Sequence, residues 1–237
     1  DNSFTPYDGQ IKFSEEGLHM LRFKAVDPVN NWSPVQSFRI YVDLTRPVTQ
    51  LSWAGDHHWN EGQLFVSPKA NLAMVANDNL SGVSKVVWKN GEGKFHDYRA
   101  PMSFDKEGAY QFSFMAVDNV GNHETAQVQP FIVDGTAPKS DVSIQGNVHK
   151  MGGKIYTKLG AQLVLTAMDG SSGVKKIEMQ VNGMGPQRYE RPMVLDKKVS
   201  KVQFRAVDNV GNAEKWQDYV VHVATDATTT RLDPWLL

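Results

Sequence analysis

The chain has 237 residues, of which 41% are hydrophobic and 22% are charged, and its formal net charge is −1. This is an ordinary globular composition, and the near-zero charge gives no support for a nucleic-acid partner. No apolar run is long enough to span a bilayer. The chain contains no cysteine, which excludes disulfide bridges and zinc–thiolate sites.

A seven-residue motif occurs three times along the chain. It reads AVDPVNN at residues 25–31, AVDNVGN at residues 116–122 and AVDNVGN again at residues 206–212. Successive copies start 91 and 90 residues apart. A fixed period of this size indicates that one structural unit is repeated along the chain.

The period divides the chain into four parts. Residues 1–45 match only the second half of the unit, residues 46–136 and 137–226 are complete copies, and residues 227–237 form a tail outside the repeat. A proline follows the end of each of the first two parts, at Pro47 and Pro138. Because proline has no N–H to donate, it ends a strand ladder and stiffens the junction.

Strands flank each copy of the motif. The preceding residues alternate between apolar and polar, as in Phe112, Phe114 and Ala116, and a second alternating run follows. Residues two apart share one face of a strand, so the apolar sets are predicted to face a core. We expect Phe114 and Phe204 to occupy equivalent buried positions.

The motif itself is predicted to be the turn of a hairpin. Its aspartate can accept hydrogen bonds from backbone N–H groups ahead of it, and its glycine permits positive φ, for which asparagine is the best substitute. The predicted turn residues in the three copies are Asp27, Asn30, Asp118, Gly121, Asn122, Asp208, Gly211 and Asn212. Each aspartate could alternatively be a calcium ligand, but turn capping is the preferred interpretation.

Short strands with a turn signal every eight to twelve residues indicate an antiparallel β-sandwich. No segment shows a sustained 3.6-residue period, so helix is expected to be negligible. The predicted fold class is all-β, with tandem immunoglobulin-like antiparallel β-sandwiches of which the first is incomplete.

The ordered motifs resemble a known family. Asp-Asn-x-Ser-Gly-Val, an Asn-Gly hairpin, Tyr-x-x-Pro, Glu-Gly, Ala-Val-Asp-Asn-Val-Gly-Asn and Val-Asp-x-Thr-x-Pro follow one another. This order resembles the bacterial immunoglobulin-like repeats of large surface and secreted proteins, one family of which was catalogued after a spirochaete outer-membrane protein. The resemblance covers all but about the last eleven residues, and it implies a stalk, spacer or adhesive module without general ligand sites.

Two loops carry residues that could bind a ligand. His57, His58 and Glu61 could be metal ligands, but partners at zinc spacing are missing and the third part has no such cluster, so a solvated loop is preferred. Trp53 and Trp59 could form an aromatic platform for a sugar, but hydrophobic edge covering is preferred.

Calcium between repeats is the better metal hypothesis. Carboxylates in linkers and turns near the repeat ends supply oxygen ligands of the kind that calcium needs, and they are Asp43, Asp78, Asp134 and Asp169. The density of a dedicated calcium loop is missing, so no metal or cofactor site is assigned. No catalytic constellation is visible, and the chain is not predicted to be an enzyme.

The preferred function is a non-catalytic structural or adhesive segment of a bacterial cell-surface or secreted protein, with the periplasm as another location. The alternatives are accessory domains of a secreted carbohydrate-active or other hydrolase, or a subunit of an extracellular assembly. A protein or surface glycan is the expected partner class. Upstream chain or a partner is expected to complete residues 1–43 and to cover Phe13, Leu21 and Phe23, and the apolar tip at residues 232–237 is expected to dock.

Overall fold

The structure, a computed structural model, describes residues 3–196 and 199–224. These residues form twenty strands and no helix, which confirms the all-β prediction. None of them therefore belongs to an apolar helix that could cross a membrane. The predicted tail at residues 227–237, with its apolar tip, lies outside the described residues.

Among the described residues, the three parts of the chain contain two, eight and ten strands. The first part of the chain contains β1 (Gly17–Phe23) and β2 (Gln36–Val42). The second contains β3 (Val48–Ala54), β4 (His57–Asn60), β5 (Gln63–Val66), β6 (Asn71–Asn77), β7 (Val83–Asn90), β8 (His96–Asp97), β9 (Gly108–Asp118) and β10 (Gln127–Val133). The third contains β11 (Lys139–Gln145), β12 (Val148–Met151), β13 (Lys154–Lys158), β14 (Gln162–Met168), β15 (Val174–Val181), β16 (Gln187–Arg188), β17 (Met193–Val194), β18 (Lys201–Asp208), β19 (Gln217–Val220) and β20 (His222–Ala224).

The sheets of the second and third repeats correspond to each other. In the second repeat β3 pairs with β6, and a six-stranded sheet has the order β4-β5-β10-β9-β7-β8. In the third repeat the orders are β11-β14-β17, β12-β13-β20 and β16-β15-β18-β19. The strand equivalent to β10 is interrupted at Val221, whose N–H donates to the Ser200 carbonyl at 3.1 Å. This interruption divides one large sheet into two smaller ones.

A core between two sheets makes the third repeat a sandwich. Leu163 and Leu165 of β14 pack with Met179 of β15 and with Val202 and Phe204 of β18, and all five are buried. Alternate residues of each strand therefore face inward, as the sequence pattern predicted.

The equivalent core of the second repeat is aromatic. Phe112, Phe114 and Ala116 of β9 are buried. Phe114 pairs with Trp88 of β7, as Phe204 pairs with Met179 of β15, so the two phenylalanines hold the same register position. The prediction that both rings are buried is confirmed.

The hairpin of β1 and β2 has an exposed apolar surface. The two strands pair antiparallel from Gly17 opposite Val42 to Phe23 opposite Gln36. Phe23 is 43% exposed, whereas Phe13 and Leu21 are half-buried. Other exposed apolar residues of this part are Leu18, Met20, Val26, Trp32, Phe38 and Tyr41. The described residues of this part contain these two strands and no others.

The described residues fall into two compact units. The first contains the residues up to 52 together with 72–102 and 111–129, and the second contains 53–71, 103–110 and the residues from 130 onward. The linker at residues 43–47 lies in the first unit and the linker at residues 134–138 in the second. Each linker can therefore be described within its own unit.

Candidate metal centres at the two linkers

The repeated motif forms a turn of the same shape in all three copies. An isolated bridge closes each turn, and the bridges pair Val26 with Trp32, Val117 with His123 and Val207 with Ala213. In the first copy Asp27 Oδ1 accepts hydrogen bonds from the backbone N–H groups of Val29 at 3.0 Å and Asn31 at 2.8 Å. Its Oδ2 accepts from Asn31 Nδ2 at 2.9 Å.

The other two motif aspartates make the same contacts. Asp118 Oδ1 accepts from the backbone N–H groups two, three and four residues ahead, at 2.9, 2.7 and 2.8 Å. Asp208 Oδ1 accepts from Val210 at 3.0 Å and from Asn212 at 2.7 Å. In each case Oδ2 accepts from the side-chain amide of the asparagine four residues ahead, at 2.6 Å.

The sixth residue of each motif, three positions after the aspartate, has a left-handed backbone conformation. Asn30, Gly121 and Gly211 have φ values of 70°, 99° and 88°. Asparagine and glycine are the two residues that adopt this region most readily. The substitution of asparagine for glycine in the first copy therefore leaves the turn unchanged.

Each of the two linkers contains a second aspartate, which accepts a hydrogen bond from a turn of the following repeat. Asp43 Oδ1 accepts from the Thr45 N–H at 3.1 Å, and its Oδ2 accepts from the Ser81 N–H at 2.8 Å. Asp134 lies 91 residues later and makes the equivalent bonds to Thr136 at 3.2 Å and Ser172 at 3.0 Å. Each linker aspartate is thereby held against the turn of the following repeat.

A third aspartate lies in the same turn as the serine. This turn joins β6 to β7 in the second repeat and β14 to β15 in the third. Asp78 Oδ2 accepts from the backbone N–H groups of Leu80 at 3.1 Å and Gly82 at 2.9 Å. Asp169 Oδ2 accepts from the N–H groups two and four residues ahead at 3.0 and 2.8 Å. Both side chains are half-buried.

These three aspartates converge at each linker. We call Asp43, Asp78 and Asp118 the first trio, and Asp134, Asp169 and Asp208 the second trio. In each trio one carboxylate oxygen from every member lies within 4.8 Å of the others. Asp27 has no such neighbours among the described residues. The turn alone therefore does not create a trio, which also needs a linker aspartate from the preceding repeat.

Burial makes the charge of each trio costly. Asp134 and Asp208 are 0% exposed, while Asp43 and Asp118 are 7% and 2% exposed. None of the four ion pairs found among the described residues includes a trio member. Hydrogen-bond donors alone hold these carboxylates, and like charges this close disfavour ionisation of all three.

The two trios respond differently to that burial. At Asp208, burial and the neighbouring charge of Asp134 raise the pKa of the carboxyl above its ordinary value, despite the hydrogen bonds from Asn212 and Val210. At Asp118, burial also acts to raise the pKa, but hydrogen bonds from Asn122, Val120 and Gly121 outweigh it and hold the pKa below its ordinary value. The additional N–H of Gly121 on the Asp118 carboxylate accounts for part of this difference.

The sequence named the members of these trios separately. The calcium hypothesis included the linker aspartates and the β6–β7 and β14–β15 turn aspartates, and it treated Asp118 and Asp208 as turn caps. The structure gives Asp118 and Asp208 both positions, because the capping bonds and the trio involve the same carboxylates. No sequence spacing could show that three separate loops meet.

The other candidate ligands are placed elsewhere. His57 and His58 lie on β4, where His57 Nδ1 is 3.0 Å from the Gly55 carbonyl oxygen. Neither histidine nor Glu61 belongs to a cluster of three or more potential metal ligands among the described residues. Trp53 packs edge-on against Phe131 with ring centroids 4.9 Å apart, which places it in the core, while Trp59 is exposed.

Sequence reasoning missed a hydrogen-bonded glutamate in each complete repeat, which is buried in the second repeat (Glu124) and half-buried in the third (Glu214). Glu124 accepts hydrogen bonds from the backbone N–H groups of Thr49 and Ala116, both at 3.0 Å, and from the side chains of Thr49 and Gln127. Burial acts to raise its pKa, but these bonds outweigh it and hold the pKa below its ordinary value. The signal was present, because a glutamate and a glutamine recur 90 residues later in the third repeat.

Comparison with known proteins bears on this repeat directly. Residues 64–135 match the family model described as a bacterial Ig-like domain. This match confirms the predicted bacterial immunoglobulin-like repeat for residues 64–135. The match includes Asp78, Asp118 and Asp134, so the bacterial Ig-like region contributes members to both trios.

The solved structures to which this chain is similar include the fibronectin(III)-like modules of Clostridium thermocellum CbhA. That match has 17% sequence identity and a TM-score of 0.38, and it covers 73% of this chain and 94% of the other. No curated protein matches the chain. The similarity to a bacterial Ig-like domain thus lies in residues 64–135, in a chain whose described residues form strands and no helix.

Proposed function

We propose that this chain is a non-catalytic structural segment of a bacterial cell-surface or secreted protein, in which the Ig-like repeats act as a stalk or spacer. The observation that carries the proposal is the way in which side chains tie both linkers to the neighbouring repeats. A spacer transmits position only when its linkers resist bending, and these contacts supply that resistance.

The first linker is bonded from two sides. Asn122 Nδ2 donates to the backbone carbonyls of Asp43 at 3.1 Å and Thr45 at 3.2 Å. Glu16, in the preceding half-repeat, accepts from the Leu44 N–H at 3.1 Å and from Asn79 Nδ2 at 2.9 Å. These bonds connect residues on both sides of the linker through the linker backbone.

The second linker repeats this arrangement. Asn212 Nδ2 donates to the Asp134 carbonyl at 2.8 Å. Glu107, which lies 91 residues after Glu16, accepts from Thr136 Oγ1 at 2.7 Å. Together with proline at the end of each linker, such bonds favour a semi-rigid junction over a flexible one.

Spin labels test the stiffness of the first linker. The chain has no cysteine, so Arg39→Cys and Lys85→Cys, both at exposed positions on opposite sides of the linker, can be labelled without background. Pulsed electron paramagnetic resonance should give a narrow distance distribution, which broadens in Asn122→Ala combined with Glu16→Ala. A broad distribution in the unaltered linker would contradict the proposal.

Asn31→Ala provides the matched control. Asn31 occupies the same turn position as Asn122 and donates to the motif aspartate in the same way, but neither of these hydrogen bonds reaches the linker. The distance distribution should therefore stay narrow.

Protease treatment tests the location of the chain. Treatment of intact cells of the source bacterium should release peptides of this chain, and peptides that appear only after lysis would argue against surface exposure.

A further inference from the structure

We propose that each trio of aspartates binds one Ca²⁺ ion, so that residues 43, 78 and 118 form one calcium site and residues 134, 169 and 208 form a second. This inference goes beyond the structural role and does not depend on it. It also departs from the sequence-based assignment of no metal.

Charge is the first argument. Each trio brings three carboxylates within 4.8 Å of one another, with two of the three side chains buried. Removing carboxylates from water is costly unless an opposite charge compensates them. The ion pairs found among the described residues lie elsewhere, so none of them supplies a cationic partner to either trio.

Buried oxygens without partners are the second and independent argument. Asp78 Oδ1 is buried and has no hydrogen-bond partner among the described residues, although its Oδ2 accepts two N–H groups. Leaving a buried polar atom unpaired costs free energy. An oxygen that is shielded from water yet left without a donor fits a ligand for a cation.

Serine hydroxyls repeat this signal at both trios. Ser172 is 0% exposed and its Oγ has no hydrogen-bond partner among the described residues. Ser81 is half-buried as a residue, but its Oγ is buried and likewise has no partner among the described residues. Each serine lies next to its trio, because its backbone N–H donates to the linker aspartate. The two serine hydroxyls occupy equivalent positions in the two repeats, and a cation bound at each trio would supply the partner that both oxygens lack.

The donor chemistry selects calcium. Every group in the trios offers oxygen, whereas zinc favours nitrogen and sulfur ligands. Calcium accepts six to eight oxygens in irregular geometry, while magnesium demands a near-ideal octahedron and keeps several waters. Carboxylates from three separate loops, with hydroxyls and backbone carbonyls nearby, suit the larger and less demanding ion.

Isothermal titration of the full chain with calcium, after treatment with a chelator, tests the proposal. We expect two sites per chain with dissociation constants on the order of 10⁻⁴–10⁻³ M or tighter, the range of extracellular calcium modules, and weaker binding of magnesium. The melting temperature should rise with calcium and fall again with chelator. Absence of calcium binding to the unaltered chain would overturn the proposal, and equal affinity for magnesium would overturn the choice of ion.

Conservative variants locate the sites. Asp78→Asn and Asp169→Asn keep one side-chain oxygen to accept the two turn N–H groups while removing the charge. Each should remove one calcium site, and the double variant should remove both. If both single variants retained the full stoichiometry, the trios would not be the binding sites.

Asp27→Asn is the matched control. Asp27 makes the same turn bonds as Asp118 but belongs to no trio among the described residues. This variant should bind as many calcium ions as the unaltered chain. Circular dichroism of each variant separates loss of binding from loss of folding, and the result for the unaltered chain decides the proposal even where a variant fails to fold.

Discussion

Replacing Glu124 by glutamine should destabilise the second repeat and remove part of its dependence on pH. Glu124 Oε1 accepts from the Thr49 N–H and Gln127 Nε2, and Oε2 accepts from Thr49 Oγ1 and the Ala116 N–H. A glutamine must place its NH₂ group on one of these sides. On the Oε2 side the threonine hydroxyl can rotate to accept, and only the Ala116 N–H loses its acceptor.

The expected loss of stability follows from the one N–H that loses its acceptor. One buried N–H left unpaired costs about 1–3 kcal/mol, and the remaining bonds lose the strength that a charged acceptor gives them. We therefore expect Glu124→Gln to lower the free energy of unfolding of the second repeat by roughly 2–4 kcal/mol at neutral pH. Glu214→Gln should act in the same direction on the third repeat but less strongly, because Glu214 is only half-buried.

The pH dependence has a definite sign. The pKa of Glu124 is below its ordinary value in the folded protein, so its charged form stabilises the fold above the ordinary glutamate range of about pH 4–5. That stabilisation is lost as the pH falls through the lowered pKa. The difference between the unaltered chain and Glu124→Gln should therefore shrink in acid.

Hydrogen exchange over a urea series, read by mass spectrometry, measures the second and third repeats separately in one chain. Glu92→Gln is the control, because Glu92 is exposed in the turn between β7 and β8. An effect of Glu124→Gln no larger than that of Glu92→Gln would refute the hydrogen-bond reasoning. A cost that stays constant from neutral pH into acid would refute the charge argument.

Two further predictions concern the core and the turns. Phe114→Ala and Phe204→Ala should each lower the free energy of unfolding of their own repeat by about 3–5 kcal/mol, measured by the same exchange experiment, and a cost near zero would contradict their burial. Gly121→Ala and Gly211→Ala should both lower the melting temperature because of their positive φ. The two shifts should be similar, because none of the described atoms lies within 4 Å of an added Cβ at Gly121, and at Gly211 the nearest atom is Oδ2 of the exposed Asp56 at 2.7 Å, whose side chain can rotate away; an unchanged melting temperature in either variant would contradict the backbone argument.

The fold was predictable because its signals are local. Alternation placed Phe112, Phe114 and Ala116 on the inner face of β9, and the repeated Asp and Gly positions placed the turns. The pattern was less informative in the first hairpin. Phe38 alternates with Ile40 as a core-facing strand would, yet it is 57% exposed, because alternation predicts a face and not what covers that face.

The candidate sites were only partly predictable because their residues are distant in sequence. Asp43 and Asp118 are separated by most of a repeat, and their proximity depends on how the strands are ordered in the sheets. Glu124 was missed for a different reason. A glutamate is normally exposed, and only its hydrogen-bond donors, which come from Thr49 and Ala116, make its burial favourable.

The comparison of the three motif copies separates two roles for one residue. Asp27 shows that the motif aspartate caps its turn whether or not a trio is present. Asp43 and Asp134 in the linkers, and Asp78 and Asp169 in the adjoining turns, also accept backbone N–H groups, but each does so in a different segment. The three positions come together only where one repeat follows another, and they do so twice. The trio is therefore a property of the junction between repeats, which is where a cation would link the end of one repeat to the turns of the next.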